Sequence, residues 1–357
     1  MSEGKSEDRG FSSADCILVT GGSGFIGTHL CAQLQRMGQR YVILDLHAPS
    51  ASLQPERFVR GDVRNSLAID AAIEGCSSVL HLAAAHHDSG ISRDTYFGVN
   101  EGSTSLLIEV MAARQLRRIC FFSSAAVYGE ADVSRTETHE PQPSGAYGAS
   151  KLAAEKLLRS AAANGTIDAL IIRPTVTFGP ENFANMFSLI RQIDAGLYLQ
   201  VGESKNIKSL SYVHNLVSFT LYAWARHGSG VEEFNWVETP DLTSSDIARE
   251  LADALGRRIP PVRLPLQLAL LLARPIEVIA SLTGKTLPVT RARIRKMAVD
   301  QTQFSARKAL DSGFSPEVSL RDALRQTVTW YRSTGKDAPR RRLVPPPEID
   351  FAVSVSR

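Results

Sequence analysis

Two polar residues four apart carry the first chemical signal in this sequence: Tyr147 and Lys151, in Tyr147-Gly-Ala-Ser-Lys151. On a helix such residues share a face. A lysine ammonium beside a phenol stabilises phenolate, so the tyrosine can exchange a proton near neutral pH. Upstream, Phe121-Phe-Ser-Ser-Ala-Ala-Val-Tyr-Gly129 reads as a strand running into a turn, with Ser124 at the strand's carboxyl end. There its hydroxyl can hydrogen-bond a reacting oxygen.

A second constellation binds rather than reacts. Thr20-Gly-Gly-Ser-Gly-Phe-Ile-Gly27 places Gly21, Gly24 and Gly27 in a G-x-x-G-x-x-G pattern, with Phe25 and Ile26 opening the helix that follows. Glycine is needed where the chain turns sharply and where backbone approaches a phosphate. The amides and positive dipole end of the helix then face a pyrophosphate. Asp45 ends the next strand, 18 residues beyond Gly27. A carboxylate there accepts the adenosine ribose hydroxyls and repels a 2′-phosphate, which selects NAD over NADP.

These residues need a scaffold of alternating strands and helices. Strands read at Cys16–Thr20, Tyr41–Asp45, Ser78–Leu82, Arg118–Ser123 and Ala169–Arg173, with helical patterns near 67–74, 100–115 and 147–163. That alternation predicts an α/β fold: a Rossmann-type, doubly wound parallel sheet that binds ligands at its carboxyl ends. Beyond about residue 180 the pattern turns irregular. Short strands at Leu197–Val201 and Phe234–Val237 mix with helices near 214–226, 244–255 and 264–282. We expect an NAD-binding domain over 15–180, with some later segments returning to it, and a smaller α/β substrate lobe over 181–335. Residues 1–14 and the basic, proline-rich 336–357 read as disordered tails.

Composition narrows the classes. The 357 residues are 43% apolar and 22% charged, with a net charge of +3. No dense basic stripe runs through the body, so nucleic acid is not an expected partner. Cys16, Cys31, Cys76 and Cys120 form no C-x-x-C pair and read as buried thiols of a reducing compartment. His86, His87 and Asp88 lack further ligands nearby, so no metal is expected. With no apolar leader and no run long enough to span a bilayer, the expected location is cytoplasmic.

The motifs together resemble a known family. The glycine turn, Gly61-Asp-Val63, His81-Leu-Ala-Ala84, Val99-Asn100, the Ser-Ser-x-x-Val-Tyr-Gly run, Tyr147 with Lys151, and Arg173-Pro174 follow the order of extended short-chain dehydrogenase/reductases, across about residues 15–333. The resemblance implies that Asp62 and Val63 hold the adenine. It implies that Leu82, Ala83, Ala84, His86, Asn100 and Ser123 line the NAD, and that Pro174 lies near the nicotinamide. Tyr147 and Lys151 would also touch the cofactor, Lys151 holding both the tyrosine and the nicotinamide ribose. Further stretches resemble bacterial epimerases of N-acetylhexosamine glycans: Leu82-Ala-Ala-Ala-His-His-Asp88, Asn185-Met-Phe, Asn206-Ile-Lys-Ser-Leu-Ser-Tyr-Val213, Phe234-Asn-Trp-Val-Glu-Thr-Pro-Asp-Leu242, Arg293-Ile-Arg-Lys296, Thr302-Gln-Phe304 and Ser312-Gly-Phe314. Gly98 departs from the acidic residue expected before Val99-Asn100.

That resemblance implies an NAD-dependent 4-epimerase of a UDP-linked or polyprenyl-diphosphate-linked N-acetylhexosamine, acting in cell-surface polysaccharide and O-antigen biosynthesis. Tyr147, Ser124 and Lys151 would be catalytic. Asn185, Lys208 and Arg293 would meet the substrate, the cations gripping its diphosphate. A homodimer is expected from the same likeness. A 4,6-dehydratase would carry an Asp-Glu pair where this chain has Ala125 and Ala126. A reductase of a UDP-4-keto-6-deoxy-N-acetylhexosamine uses the same triad but usually NADPH. A non-enzymatic NAD-binding regulator would have lost the Tyr/Lys pair. The leucine-rich stretch 259–285 reads either as a helix packed in the smaller lobe or at a dimer interface, or as one lying on a membrane surface, flanked by Arg263, Arg274 and Lys285. The second reading suits a lipid-linked substrate and a peripheral place at the inner face of the cytoplasmic membrane.

Overall fold

A computed structural model describes residues 15–86, 90–129, 133–273 and 302–339. Seven parallel strands form the central sheet in the order β11-β6-β5-β4-β1-β2-β3. They are β1 (Cys16–Thr20), β2 (Arg40–Asp45), β3 (Arg57–Arg60), β4 (Ser78–His81), β5 (Arg118–Phe122), β6 (Asp168–Pro174) and, after four short strands, β11 (Val231–Trp236). Every residue of β1, β4 and β6 is buried. Such uniformly buried runs are what a sheet covered on both faces requires. Its faces are covered by α1 (Phe25–Arg36), α2 (Ser66–Ile73), α4 (Ser103–Ala113), α5 (Ala146–Ala163) and α7 (Val213–Arg226), while α3 (Arg93–Phe97) packs on α5, and α6 (Asn185–Asp194) and α8 (Ser244–Leu255) pack on each other.

Alternation along each strand divides the interior into two cores. Ile17, Val19, Leu80, Cys120 and Phe122 face one way, with Leu30 and Leu34 of α1 and Leu216 and Phe219 of α7. Leu18, Val79, Ile119 and Phe121 face the other, with Ile69 of α2, Leu107 of α4 and Leu158 of α5. A third core, built from Phe187 and Ile190 of α6, Leu251 of α8 and Leu324, lies in the later part of the chain. The strand order reverses between β1 and β4, and the crevice at such a reversal is where doubly wound sheets bind ligands.

The later elements are short: β7 (Val176–Phe178), β8 (Gln200–Val201), β9 (Ile207–Lys208), β10 (Leu210–Tyr212), β12 (Leu242–Thr243) and β13 (Arg263–Leu264). The strand expected over Leu197–Val201 shrinks to Gln200–Val201, because its partner β13 offers only two residues to pair. Of the helix expected over 264–282, residues 266–273 are helical, and the remainder lies outside the described residues. Residues 1–14 and 340–357 of the expected tails also lie outside them. Lys336, at the start of the second, reaches the Asp194 carboxylate at 2.8 Å. All four cysteines are buried thiols. Among the described residues no helix is long and apolar enough to cross a membrane.

Candidate active site

The glycine turn closes against the strand beside it. Gly21 sits at φ +72°, and a Cβ there would lie 2.6 Å from the Ala83 amide nitrogen. A Cβ at Gly27 would meet the Gly21 carbonyl oxygen at 2.2 Å. Only glycine permits both the turn and the close packing of α1 behind it. The N-cap residue of α1, Gly24, provides no side-chain cap. The first-turn amides near Phe25 and Ile26 therefore keep their donors for a pyrophosphate, the arrangement a dinucleotide requires.

Asp45 completes this cradle. One carboxylate oxygen accepts the Ser23 amide at 3.0 Å and the other the His47 amide at 2.9 Å. Each oxygen keeps lone-pair capacity for a ribose hydroxyl. Asp45 thus ties the end of β2 to the turn after β1, a link to Ser23 that spacing alone did not disclose. Asp62 is engaged differently: its carboxylate grips the Arg64 guanidinium at 2.7 and 3.0 Å, beside buried Val63.

Leu82, Ala83 and Ala84 continue from β4 toward the carboxyl edge of the sheet and are half-buried, while His86 is exposed. His87 and Asp88 lie outside the described residues. Asn100 departs from the simple expectation that its side chain lines a cofactor. It is fully buried on a one-turn π-helix, Gly98–Gly102. Its oxygen accepts the Ala85 amide at 2.9 Å, and its nitrogen donates to the Ala85 carbonyl at 3.1 Å and to Ser150 Oγ at 2.8 Å. Both its donors are spent on the chain, so it acts on the cofactor crevice by fixing the loop that lines it. Bulges of this kind concentrate at functional sites.

A buried chain of hydrogen bonds continues from there. The Thr104 hydroxyl donates to the Asn100 carbonyl at 2.7 Å and lies 3.3 Å from His81 Nε2. Since that hydroxyl proton is used, Nε2 must be the donor, and Nδ1 accepts the Thr20 hydroxyl at 2.6 Å. Burial, with the nearby Lys151 charge, holds His81 down to about 3, so the ring is neutral. The chain links the residue before the glycine turn to Ser150, next to Lys151.

The residues expected to be catalytic lie just after β5 and on α5. Ser124 follows β5 and accepts the Ala126 amide at 3.2 Å. Tyr147 lies in the first turn of α5, within reach of the Ser124 hydroxyl. Burial raises the phenol above its ordinary range, the Ser124 hydroxyl opposes that, and Tyr96 adds to it. Lys151 is 1% exposed and donates to the Phe122 carbonyl at 2.8 Å, its ammonium 4.5 Å from the Phe121 ring centre. Burial brings it down to about 7, with Glu155 opposing. The expectation that this ammonium tunes the phenol is modified: Ser124 is the hydroxyl's partner, and Lys151 binds the end of β5.

Glu155 is the residue that motif reading missed. Tyr147, Lys151 and Glu155 repeat every four residues, so one face of α5 carries all three. Arg173, buried on β6, grips the Glu155 carboxylate at 2.7 and 2.8 Å, and Ser123 Oγ donates to it at 2.5 Å. Burial would raise this carboxyl, but Arg173, Ser123 and Arg159 outweigh it and hold it low. The Arg173 guanidinium also meets Tyr128 at 2.6 Å, and Tyr128 donates to Asn235 at 2.9 Å. Ser123, expected at the cofactor, therefore faces the ion pair that seats α5 on the sheet. Pro174 ends β6 and is buried.

The expected substrate residues are dispersed over the later elements. Asn185 opens α6 and is exposed, and Lys208 on β9 is half-buried. Arg293 and its basic neighbours lie outside the described residues. Segment 302–305 laces these elements together. Thr302 bonds the backbone of Ile207 and Ser209, while Gln303 and Ser305 bond that of Arg135.

The parallel sheet, the glycine cradle with its aspartate, and the hydroxyl pair beside a buried lysine define a dinucleotide-dependent enzyme of the short-chain dehydrogenase/reductase type. The chain belongs to the NAD dependent epimerase/dehydratase family, whose pattern matches residues 17–236. It is 34% identical over 318 residues to the N-acetyl-α-D-glucosaminyl-diphospho-ditrans,octacis-undecaprenol 4-epimerase of Escherichia coli O157:H7, covering 88% of this chain and 95% of that protein. It is 28% identical to the UDP-glucose 4-epimerase of Vibrio cholerae, with 88% and 95% covered. Among solved structures, MoeE5 in complex with UDP-glucuronic acid and NAD superimposes with a TM-score of 0.71 at 25% identity, covering 88% of this chain and 98% of that one.

Proposed function

We propose that this protein is an NAD-dependent 4-epimerase of a diphosphate-linked N-acetylhexosamine, interconverting the gluco and galacto forms. The observation that carries the reading is the Ser124–Tyr147 hydroxyl pair beside a glycine and aspartate cradle suited to NAD. NAD, which the glycine turn and Asp45 would hold, would supply the acceptor and donor of the sugar's C4 hydride. Tyr147 accepts the proton of the 4-hydroxyl as the 4-keto sugar forms, and gives a proton back when the keto group is reduced from its other face. Ser124 holds the sugar oxygen in line with the phenol. Lys151, seated by Phe122 and backed by Glu155, can meet the nicotinamide ribose. Asp45 selects NAD through the ribose hydroxyls. Asn185, Lys208 and Arg293 are the residues we assign to the substrate.

Support for a polyprenyl-linked sugar comes from the E. coli relative, whose own substrate is named by its undecaprenyl diphosphate. Such a substrate places the enzyme peripherally at a membrane surface. The test is to offer purified protein UDP-N-acetylglucosamine and its undecaprenyl-diphosphate counterpart in detergent micelles, and to follow formation of the galacto epimer. We expect turnover of the lipid-linked sugar without added cofactor. Turnover of neither sugar, together with NADH-dependent reduction of a 4-keto sugar nucleotide, would make the protein a reductase instead.

A further inference from the structure

Helix 266–273 is apolar on more sides than the one it buries. It buries Ala269 and Ala273, half-buries Leu266 and Leu270 on the same face, and turns Leu268, Leu271 and Leu272 outward, 43%, 56% and 54% exposed. Amphipathic helices of globular proteins bury the large apolar stripe. The strand before it, β13, pairs in parallel with β8, Arg263 opposite Gln200 and Leu264 opposite Val201. Continuing that register backwards sets exposed Val262 beside exposed Leu199, with exposed Leu197 two residues before it. Half of the large apolar side chains exposed among the described residues come from segments 197–199 and 262–272. Single exposed leucines need no explanation, but a cluster marks an interaction surface.

The same strand pair borders a cationic hollow. Arg249, Arg257, Arg258 and Arg263 line a cavity of about 440 Å³ that includes Gln200 and Asp253; Arg249 also pairs with Asp246 and Arg257 with Asp194 outside the lining. Apolar anchors beside guanidinium groups suit an anionic phospholipid surface: leucines enter the acyl boundary and arginines fork onto phosphates.

We propose that the face formed by 197–199, 262–263 and helix 266–273 is where the protein rests on an anionic bilayer. The proposal builds on the lipid-linked substrate reading and names the surface that serves it. The test is flotation of the full-length, NAD-bound protein with phosphatidylethanolamine–phosphatidylglycerol vesicles. The wild type should float at low salt and do so less at high salt, since screening weakens the arginine contacts. Leu271→Glu combined with Leu272→Glu should lower the floating fraction about ten-fold or more. Leu67→Glu, on a still more exposed leucine of α2, should leave it unchanged. A wild type that stays at the bottom of the gradient overturns the proposal, as does a double variant that floats normally. So does a double variant that only splits a dimer in sedimentation. Turnover of the lipid-linked sugar in micelles, measured on the same preparations, separates the two readings. Flotation without turnover removes the substrate reading and keeps the face; turnover without flotation does the reverse.

Discussion

The hydroxyl of Ser124 lies within reach of the phenol of Tyr147 across the gap between α5 and the end of β5, and holds that phenol down against the effect of burial. Tyr147→Phe should therefore keep the fold and bind NAD while losing about 10²–10⁴-fold in turnover, the usual contribution of a general acid–base group. Near-normal epimerisation by this variant would remove the assigned role.

Ser124→Ala tests the tuning of that phenol. The Ser124 hydroxyl lowers the Tyr147 pKa against the effect of burial. Its removal should raise the phenol further and move the alkaline-rising limb of kcat/KM to higher pH. It should also cost about 1 kcal/mol of stability, because the Ala126 amide loses its acceptor. A pH–rate profile with an unmoved limb would show that the pair does not titrate as one.

Asp45→Ala should weaken NAD and raise the relative affinity for NADP, through loss of the ribose hydrogen bonds and of repulsion toward a 2′-phosphate. The Ser23 and His47 amides would lose their acceptor too, so the turn should loosen and off-rates rise. Titration of apoprotein with both dinucleotides decides it: an unchanged preference places the ribose elsewhere.

Lys151 makes a stability prediction with a definite sign. Its folded pKa is depressed from 10.5 to about 7 by burial. Below pH 7 the folded chain carries a buried ammonium, and the cost of burying it disappears as pH rises toward 10.5, where unfolded lysine also loses its proton. Lys151→Met removes that cost. In thermal melts of apoprotein the variant should gain most over the wild type below pH 7, and the gain should shrink steadily toward pH 10.5. A gap independent of pH would mean that the ammonium is solvated.

Asn100→Ala should cost about 3 kcal/mol, since it strips partners from the Ala85 amide, the Ala85 carbonyl and the Ser150 hydroxyl. The loop 82–86 should then hold NAD more weakly although Asn100 spends its own donors on the chain. Denaturant titration with and without NAD reads both effects.

Local sequence chemistry determined much of this protein. Apolar runs of β length alternating with helical periods dictate a parallel sheet, because strands buried on both faces have no other use for such composition. The glycines at 21 and 27 were legible as well, since no other residue survives their φ or their contact with backbone. Tyr147 and Lys151 could be paired because helix geometry fixes what lies four residues apart. What sequence could not supply was direction. Whether Lys151 points to the phenol or to the Phe122 carbonyl, whether Asn100 faces a cofactor or Ser150, and whether the leucines of 266–273 face the core or the surface depend on packing against segments 20 to 100 positions distant. Glu155 shared the four-residue spacing yet gained meaning only when β6 brought Arg173 beneath it. Pairing across such separations is decided by the tertiary fold, where the cost of burying an unpartnered polar group selects one arrangement.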